Sequence, residues 1–214
     1  MIKSEKKSLV VRKTIDFSLD GQGSYAAWNL ATWQVLTRLR GNVSYETKFK
    51  ILYSETGIYC LFQCEDDLII ATKAENNSDL WTEDVVEAFF WPDENFPVYF
   101  EYELSPKNVE LPILVPNHKG QFYGWLPWGT QGSRATRHAT HIQETNGKAM
   151  GWTAEFFIPF DLLKPLPNSP PASGAKWRAN FYRIDHDKGE SYFCWNQVEQ
   201  HYHEYENFGA IEFE

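Results

Sequence analysis

Along most of the chain, apolar and polar residues change places at every second position, not every third or fourth. Runs of this kind fall at residues 47–53, 58–65, 84–91, 98–104, 109–114, 138–143, 151–158, 176–184, 191–195 and 209–213. They are rich in aromatic and β-branched residues, are bounded by turn formers, and are predicted to be strands. Ser54-Glu55-Thr56-Gly57 reads as the hairpin turn between the first two. A single helical turn is predicted at 160–163. Many short strands within 214 residues predict one all-β domain over 1–214. The expected architecture is a two-sheet antiparallel β-sandwich, jelly-roll or immunoglobulin-like, with very little helix.

Two segments stand outside the strand pattern. The proline-rich stretch 164–174 is read as a surface loop and not as a linker. The segment after it is too short to fold alone and begins with a strand that needs neighbours. Residues 119–137, rich in glycine and aromatics, are predicted to form a long loop over a binding face.

Alternation also assigns faces. In 84–91, Val86, Ala88 and Phe90 form the better core face, which turns Glu87 away from the core. In 98–104, Phe100, Tyr102 and Leu104 point inward and Glu101 and Glu103 outward. In 176–184, Trp177, Ala179 and Phe181 point inward, and Arg178, Asn180 and Tyr182 outward. The three strands together predict a polar outer face carrying Glu87, Glu101, Arg178, Asn180 and Tyr182, solvated and laced with cross-strand ion pairs unless a ligand uses it.

Composition narrows the class. A net charge of -9 argues against a nucleic-acid footprint, which needs a basic stripe. No apolar run is long enough to span a membrane, and Leu9-Val10-Val11 is too short for a signal-peptide core. A cytoplasmic chain and a mature extracytoplasmic form are both compatible with that. Cys60, Cys64 and Cys194 form no C-x-x-C pair, and their odd number argues against a disulfide scaffold; they read as small apolar fillers. The chain has 9 Trp, 11 Tyr and 15 Phe, enough to fill a core and leave rings for a surface. Two aromatic-and-acid segments supply such rings: Leu80-Trp81-Thr82-Glu83-Asp84-Val85-Val86-Glu87 and His201-Tyr202-His203-Glu204-Tyr205. Rings that cover C–H faces beside carboxylates that accept from hydroxyls are the chemistry of a sugar site.

Several pieces in order resemble the family 9 carbohydrate-binding modules and their DOMON-like β-sandwich relatives. They are Leu19-Asp20-Gly21 with Ala27-Trp28, Gly57-Ile58-Tyr59 running to Glu65-Asp66, and the Trp81 to Glu87 segment. Next come Trp152-Thr153-Ala154-Glu155 with Ile158-Pro159-Phe160, then Gly174 through Trp177 to Arg183, and finally Asn207-Phe208-Gly209. The resemblance implies a sandwich in which two aromatics clamp a mono-, oligo- or polysaccharide end. It places one at Trp81 and the other at Tyr202, a hydroxyl-binding carboxylate at Glu87, a polar contact at Tyr182, and an amide at Gln200 or near Glu199. Where the family has an arginine on the neighbouring strand, this chain has Glu101, a reversal of charge. The resemblance also implies a structural calcium, for which Asp66, Asp67, Asp185 and Asp187 are the candidates.

Other readings compete. His201, His203 and Glu204 could begin a transition-metal site but lack further ligands. A haem domain would need Met150 with His138 or His141. A glycosidase would need a carboxylate pair such as Glu87 and Glu101, and no G-x-S-x-G or H-E-x-x-H is present. The main alternative to non-catalytic carbohydrate binding is a sandwich with a protein-binding or structural role.

Overall fold

The computed structural model describes residues 6–214. Among them are fifteen strands: β1 Ser8–Lys13, β2 Gln34–Val35, β3 Thr37–Arg40, β4 Thr47–Tyr53, β5 Gly57–Glu65, β6 Val85–Trp91, β7 Val98–Leu104, β8 Glu110–His118, β9 Gln121–Phe122, β10 Leu126–Pro127, β11 Arg137–Thr145, β12 Lys148–Pro159, β13 Lys176–Asp185, β14 Ser191–Cys194 and β15 Gly209–Phe213. The only α-helical turn among the described residues, α1, is Phe160–Leu163, where the sequence predicts it. The segment 164–174 runs from α1 to β13 without regular structure.

One layer has the order β10-β8-β7-β6-β13-β15-β1 and the other β1-β4-β5-β12-β11. The two-sheet sandwich expected from alternation is therefore present, with one departure. Strand β1 pairs parallel with β15 (Ser8 opposite Ala210, Val11 opposite Phe213) and then parallel with β4 (Arg12 opposite Leu52), passing from one layer to the other. Hydrophobic patterning does not disclose this strand. Only Val11 of its side chains is buried, so the strand is held by its backbone ladder.

Residues assigned inward meet between the layers. Val86, Ala88 and Phe90 of β6, Phe100 and Tyr102 of β7, and Trp177, Ala179 and Phe181 of β13 pack with Phe49, Cys60, Phe62, Trp152, Ala154 and Phe156 of the facing layer. Rings carry much of the contact: Phe49 stacks on Phe181 with centroids 3.9 Å apart, and Tyr102 meets Phe156 at 4.7 Å. Cys60, Cys64 and Cys194 are free and buried.

The expected solvated outer face on β6, β7 and β13 is instead covered. Asn180 and Tyr182 are fully buried, and Glu87, Glu101 and Glu103 nearly so. A second apolar cluster lies over them, built from Val85, Phe89 and Trp91 below and Val198, Tyr202 and Phe208 above. The alternation assigns the right face to each side chain; what it omits is the segment around 198–208 that folds back across that face.

Motif residues remote in sequence also come together. Glu155 Oε2 accepts the backbone N–H groups of Asp20 and Gly21, each at 2.9 Å, and Glu155 Oε1 accepts Trp28 Nε1 at 2.8 Å. Gly21 has φ +76, and a Cβ there would lie 2.9 Å from the Thr140 backbone, so this close crossing requires glycine.

Arg183 of β13 points inward and ties the layers at one end. It donates to Thr47 Oγ1 at 3.0 Å, to the Glu65 carbonyl at 2.7 Å, to Asp66 Oδ2 at 2.9 Å, and to Asp185 Oδ2. Both aspartates of these ion pairs are completely buried. Removing only the cation strands two buried carboxylates. Arg183→Met is expected to lower stability by about 3 kcal/mol at pH 7. The loss should be smaller at pH 4, where protonated aspartates no longer need the guanidinium. Urea unfolding of both proteins at the two pH values checks this.

Candidate functional site

The covered face of β6 and β7 is not sealed everywhere. It opens into a cleft of about 360 Å³ with carboxylates at its base and aromatic walls. This volume is toward the lower end of ordinary small-ligand sites. Glu87, Glu101 and Glu103 form the base, and Trp81, Trp125, Phe122, Tyr192 and Tyr202 contribute walls.

Antiparallel register creates the acidic base. Glu87 of β6 lies opposite Glu103 of β7, and Phe89 lies opposite Glu101. Glu101 and Glu103 are two apart on one strand and therefore share a face. Burial pushes all three carboxyls well above the usual carboxylate range, and the charge of one on another pushes the same way. Glu101 Oε2 and Glu103 Oε2 have no hydrogen-bond partner in the protein. His203 Nδ1 approaches Glu101 Oε2 at 3.8 Å and Tyr99 Oη at 2.7 Å. Burial, helped by His201, lowers the His203 pKa to about 4, so the ring is neutral and brings no counter-charge near pH 7. It is stacked by Phe122 at 4.2 Å.

Trp81 reaches the cleft because its loop is pinned from both sides. Asp84 accepts the N–H of Ile70 at 2.6 Å and of His186 at 2.8 Å, while Glu83 accepts the N–H groups of Thr72 and Lys73. The half-buried Trp81 ring meets Trp125 edge-on, with centroids 5.5 Å apart.

Of the residues singled out by sequence, Trp81, Glu87, Glu101, Gln200 and Tyr202 all line this one cleft. Tyr202 is only 8% exposed. One face of its ring is stacked on Tyr182 at 3.9 Å, and its hydroxyl lies 2.8 Å from the Arg183 carbonyl and 3.1 Å from the Phe193 N–H. It is a wall held in place by the scaffold, with little free ring area. Tyr182 lies beneath it, outside the cleft lining, and donates its hydroxyl to the Tyr202 carbonyl at 2.9 Å while accepting from Asn180. Glu199 is also outside the lining.

Arg40, Leu39, Phe122, Trp125 and Tyr192 are among the lining groups with no assignment from the sequence. Arg40 and Leu39 lie on β3, too short to show a pattern; Arg40 reaches the cleft through pairing with Tyr192, over whose ring its guanidinium lies at 4.0 Å. Phe122 and Trp125 belong to the aromatic loop expected to cover a binding face, and the composition of that loop was their signal.

The competing constellations are not assembled. Glu204 accepts the backbone N–H groups of Glu199, Gln200 and His201 and caps their turn, away from any shared metal position with His201 and His203. His138 is opposite Phe156 on β12, six residues from Met150, which is about 20 Å along a strand. His141 is opposite Thr153, three residues from Met150, about 10 Å along β12. Neither histidine is thus set beside Met150 as a haem-ligand pair.

Of the calcium candidates, Asp66 and Asp185 do meet, with Asp84 as the third carboxylate, their ligand atoms all within 4.8 Å. Asp67 instead faces Lys148, and Asp187 accepts from the Tyr45 hydroxyl. Burial, with the neighbouring carboxylates, pushes Asp84 up to about 7; burial, opposed by Arg183, leaves Asp185 at about 6. The all-oxygen donor set suits calcium, which would have to share Asp66 and Asp185 with Arg183.

Comparison with known proteins places this architecture. The family described as carbohydrate family 9 binding domain-like matches residues 19–214, and the chain belongs to it. A solved candidate carbohydrate-binding protein from Bacteroides uniformis superposes with TM-score 0.79 at 17% identity, covering 98% of this chain and 100% of that one. A family 9 module from Caldicellulosiruptor kristjanssonii, solved with cellotriose, gives TM-score 0.68 at 15% identity over 97% of this chain and 94% of that one. The corresponding glucose complex gives 0.67 at 16% identity, covering 97% and 96%. An extracellular protein of Arthroderma benhamiae is 27% identical over 146 residues, 64% of this chain and 63% of that protein's length. Among the described residues, no helix is long and apolar enough to cross a membrane.

The acidic base has a pH signature. The three glutamates hold their protons more tightly in the folded chain than in the unfolded one, where a glutamate titrates near about 4.3. Their contribution to stability is complete below that pH and is lost as pH rises through the elevated folded values. Glu103→Gln is expected to be more stable than wild type at pH 8, by about 1 kcal/mol or more, with the gain shrinking toward pH 4. Denaturant midpoints across that range read it directly.

Proposed function

We propose that the chain is a non-catalytic carbohydrate-binding module that holds a sugar or glycan end in the cleft over β6 and β7. The observation that carries this reading is the convergence of Trp81, Glu87, Glu101, Gln200 and Tyr202 on one cleft in a member of a carbohydrate-binding family. Trp81 and Trp125 offer faces and edges for the C–H surface of a ring, and the glutamates and Gln200 offer partners for hydroxyls. The family 9 modules solved with cellotriose and with glucose share this fold and support the ligand class. A role in the catabolism of polysaccharides or glycans fits that class.

Catalysis by the carboxylates is not favoured by their surroundings. A glycosidase sets one protonated carboxyl against one ionised carboxylate in unlike environments. Here all three glutamates are buried on one face and are shifted in the same direction.

A glycan array followed by calorimetry tests the proposal, with Trp81→Ala as the discriminating variant. Binding at micromolar to millimolar Kd, lost by about tenfold or more in Trp81→Ala, is expected. Its melting temperature should stay within a few degrees of wild type, because Trp81 is only half-buried. A clean negative across mono-, di- and oligosaccharides favours the protein-binding alternative.

Tyr182→Phe should behave in the opposite way. Loss of its buried hydroxyl leaves the Tyr202 carbonyl without that donor, and Asn180, still bonded to Asn196, without that acceptor, and should cost about 1–2 kcal/mol of stability. A change in affinity with no change in stability would instead make Tyr182 a direct ligand contact.

A further inference from the structure

We infer that the preferred ligand is a sugar carrying a free ammonium group, an amino sugar whose cation sits on Glu87, Glu101 and Glu103 while its ring lies against the aromatic walls. The inference rests on the carbohydrate reading of the same cleft and specifies the ligand class.

Charge balance supplies the first argument. The three carboxyls are 2%, 4% and 1% exposed, and they meet on one face by strand register. Buried carboxylates in proteins are normally paired with a cation or well supplied with donors. These are not: one oxygen each of Glu101 and Glu103 has no protein partner. The contrast within the same molecule is direct, since the other buried acidic group holds Arg183 between Asp66 and Asp185.

Arg40 and His203 in the cleft lining do not fill that role. The guanidinium of Arg40 lies on the Tyr192 ring and donates to the Gln200 carbonyl at 3.3 Å. His203 is neutral near pH 7 and shares its Nδ1 with the Tyr99 hydroxyl. Left to themselves, Glu101 and Glu103 are close enough to share a proton, which lets the base persist without a ligand.

These features define the chemistry of the missing partner. A neutral sugar hydroxyl can donate one hydrogen bond but brings no charge to hold the carboxyls ionised. An ammonium group offers three donors and a full positive charge to three carboxyls. Aromatic faces at the cleft wall also attract a cation, most strongly where it is partly desolvated. Acetylation of the amine would remove both the charge and two of the donors.

Calorimetry of the wild-type chain near pH 6.5 with D-glucosamine, D-glucose and N-acetyl-D-glucosamine tests the inference. Glucosamine is expected to bind about tenfold or more tightly than either neutral sugar. In Glu101→Gln and in Glu103→Gln that preference should fall to about threefold or less. Glucose binding as tightly as glucosamine to the wild type overturns the inference and leaves the carbohydrate reading standing. Retention of the full preference in both glutamine variants also overturns it. If none of these sugars binds, nor any β-1,4-linked oligomer of glucose or glucosamine, the carbohydrate reading fails and this inference with it. The wild-type comparison requires no variant to fold.

Discussion

The site depends on one constraint: β6 and β7 are buried on both faces. A strand in a sandwich usually gives one face to the core and the other to water. Here the outward face is roofed by the chain around 198–208, and Phe89 and Tyr182 pack up against Tyr202 and Phe208 as Val86 and Phe181 pack into the core below. Glutamates that would be ordinary solvated residues on an open sheet are thereby enclosed. Their elevated proton affinity, their missing partners and the cleft itself all result from that roof.

The two buried acidic groups show how the same residue type can serve opposite ends. Asp66 and Asp185 are compensated by Arg183 and, through it, are fixed to Thr47 and the Glu65 carbonyl of the facing layer. This group is closed electrostatically and acts as a fastener. Glu87, Glu101 and Glu103 have no such cation and face a cavity. Arg183 and Asp185 lie on β13, and Glu87 lies on the adjacent β6 opposite Tyr182, so the fastened end of β13 adjoins the strand that carries one of the uncompensated carboxyls.

Much of the scaffold was legible in the sequence because alternation is a strong and local signal. Val86, Ala88 and Phe90 on one face, and Glu87 on the other, are assigned correctly by period alone. The short strand β1 was not legible, since a single buried side chain, Val11, gives no pattern and the ladder is made by backbone. Trp81, Glu87, Glu101, Gln200 and Tyr202 were brought together by family resemblance, and the fold sets them around one cavity. Tyr182 was expected to face a ligand because it lies on the outward face of β13; it does lie on that face, but Tyr202 is stacked directly on it. Arg40 could not be found at all, because its place depends on Tyr192, more than a hundred residues away. Period reports which side of a sheet a residue occupies. It does not report what a distant segment later lays over that side.

The seam made by β1 has a consequence for how the chain reaches this state. Ser8 pairs with Ala210 and Val11 with Phe213, so the first described strand finds one of its two neighbours about two hundred residues farther along the chain. Until those residues are in place, β1 has its β4 pairing at Arg12 and Lys13 but no partner for Ser8 to Val11, and the layer containing β13 has no β15. Closure of so long a loop is therefore a late event, slow by its entropy. In the interval the Lys176–Ala179 part of β13 carries an unpaired edge, open to mispairing with another chain. Strand β15 covers that edge of β13, and β1, the strand with the weakest hydrophobic signature, in turn covers β15.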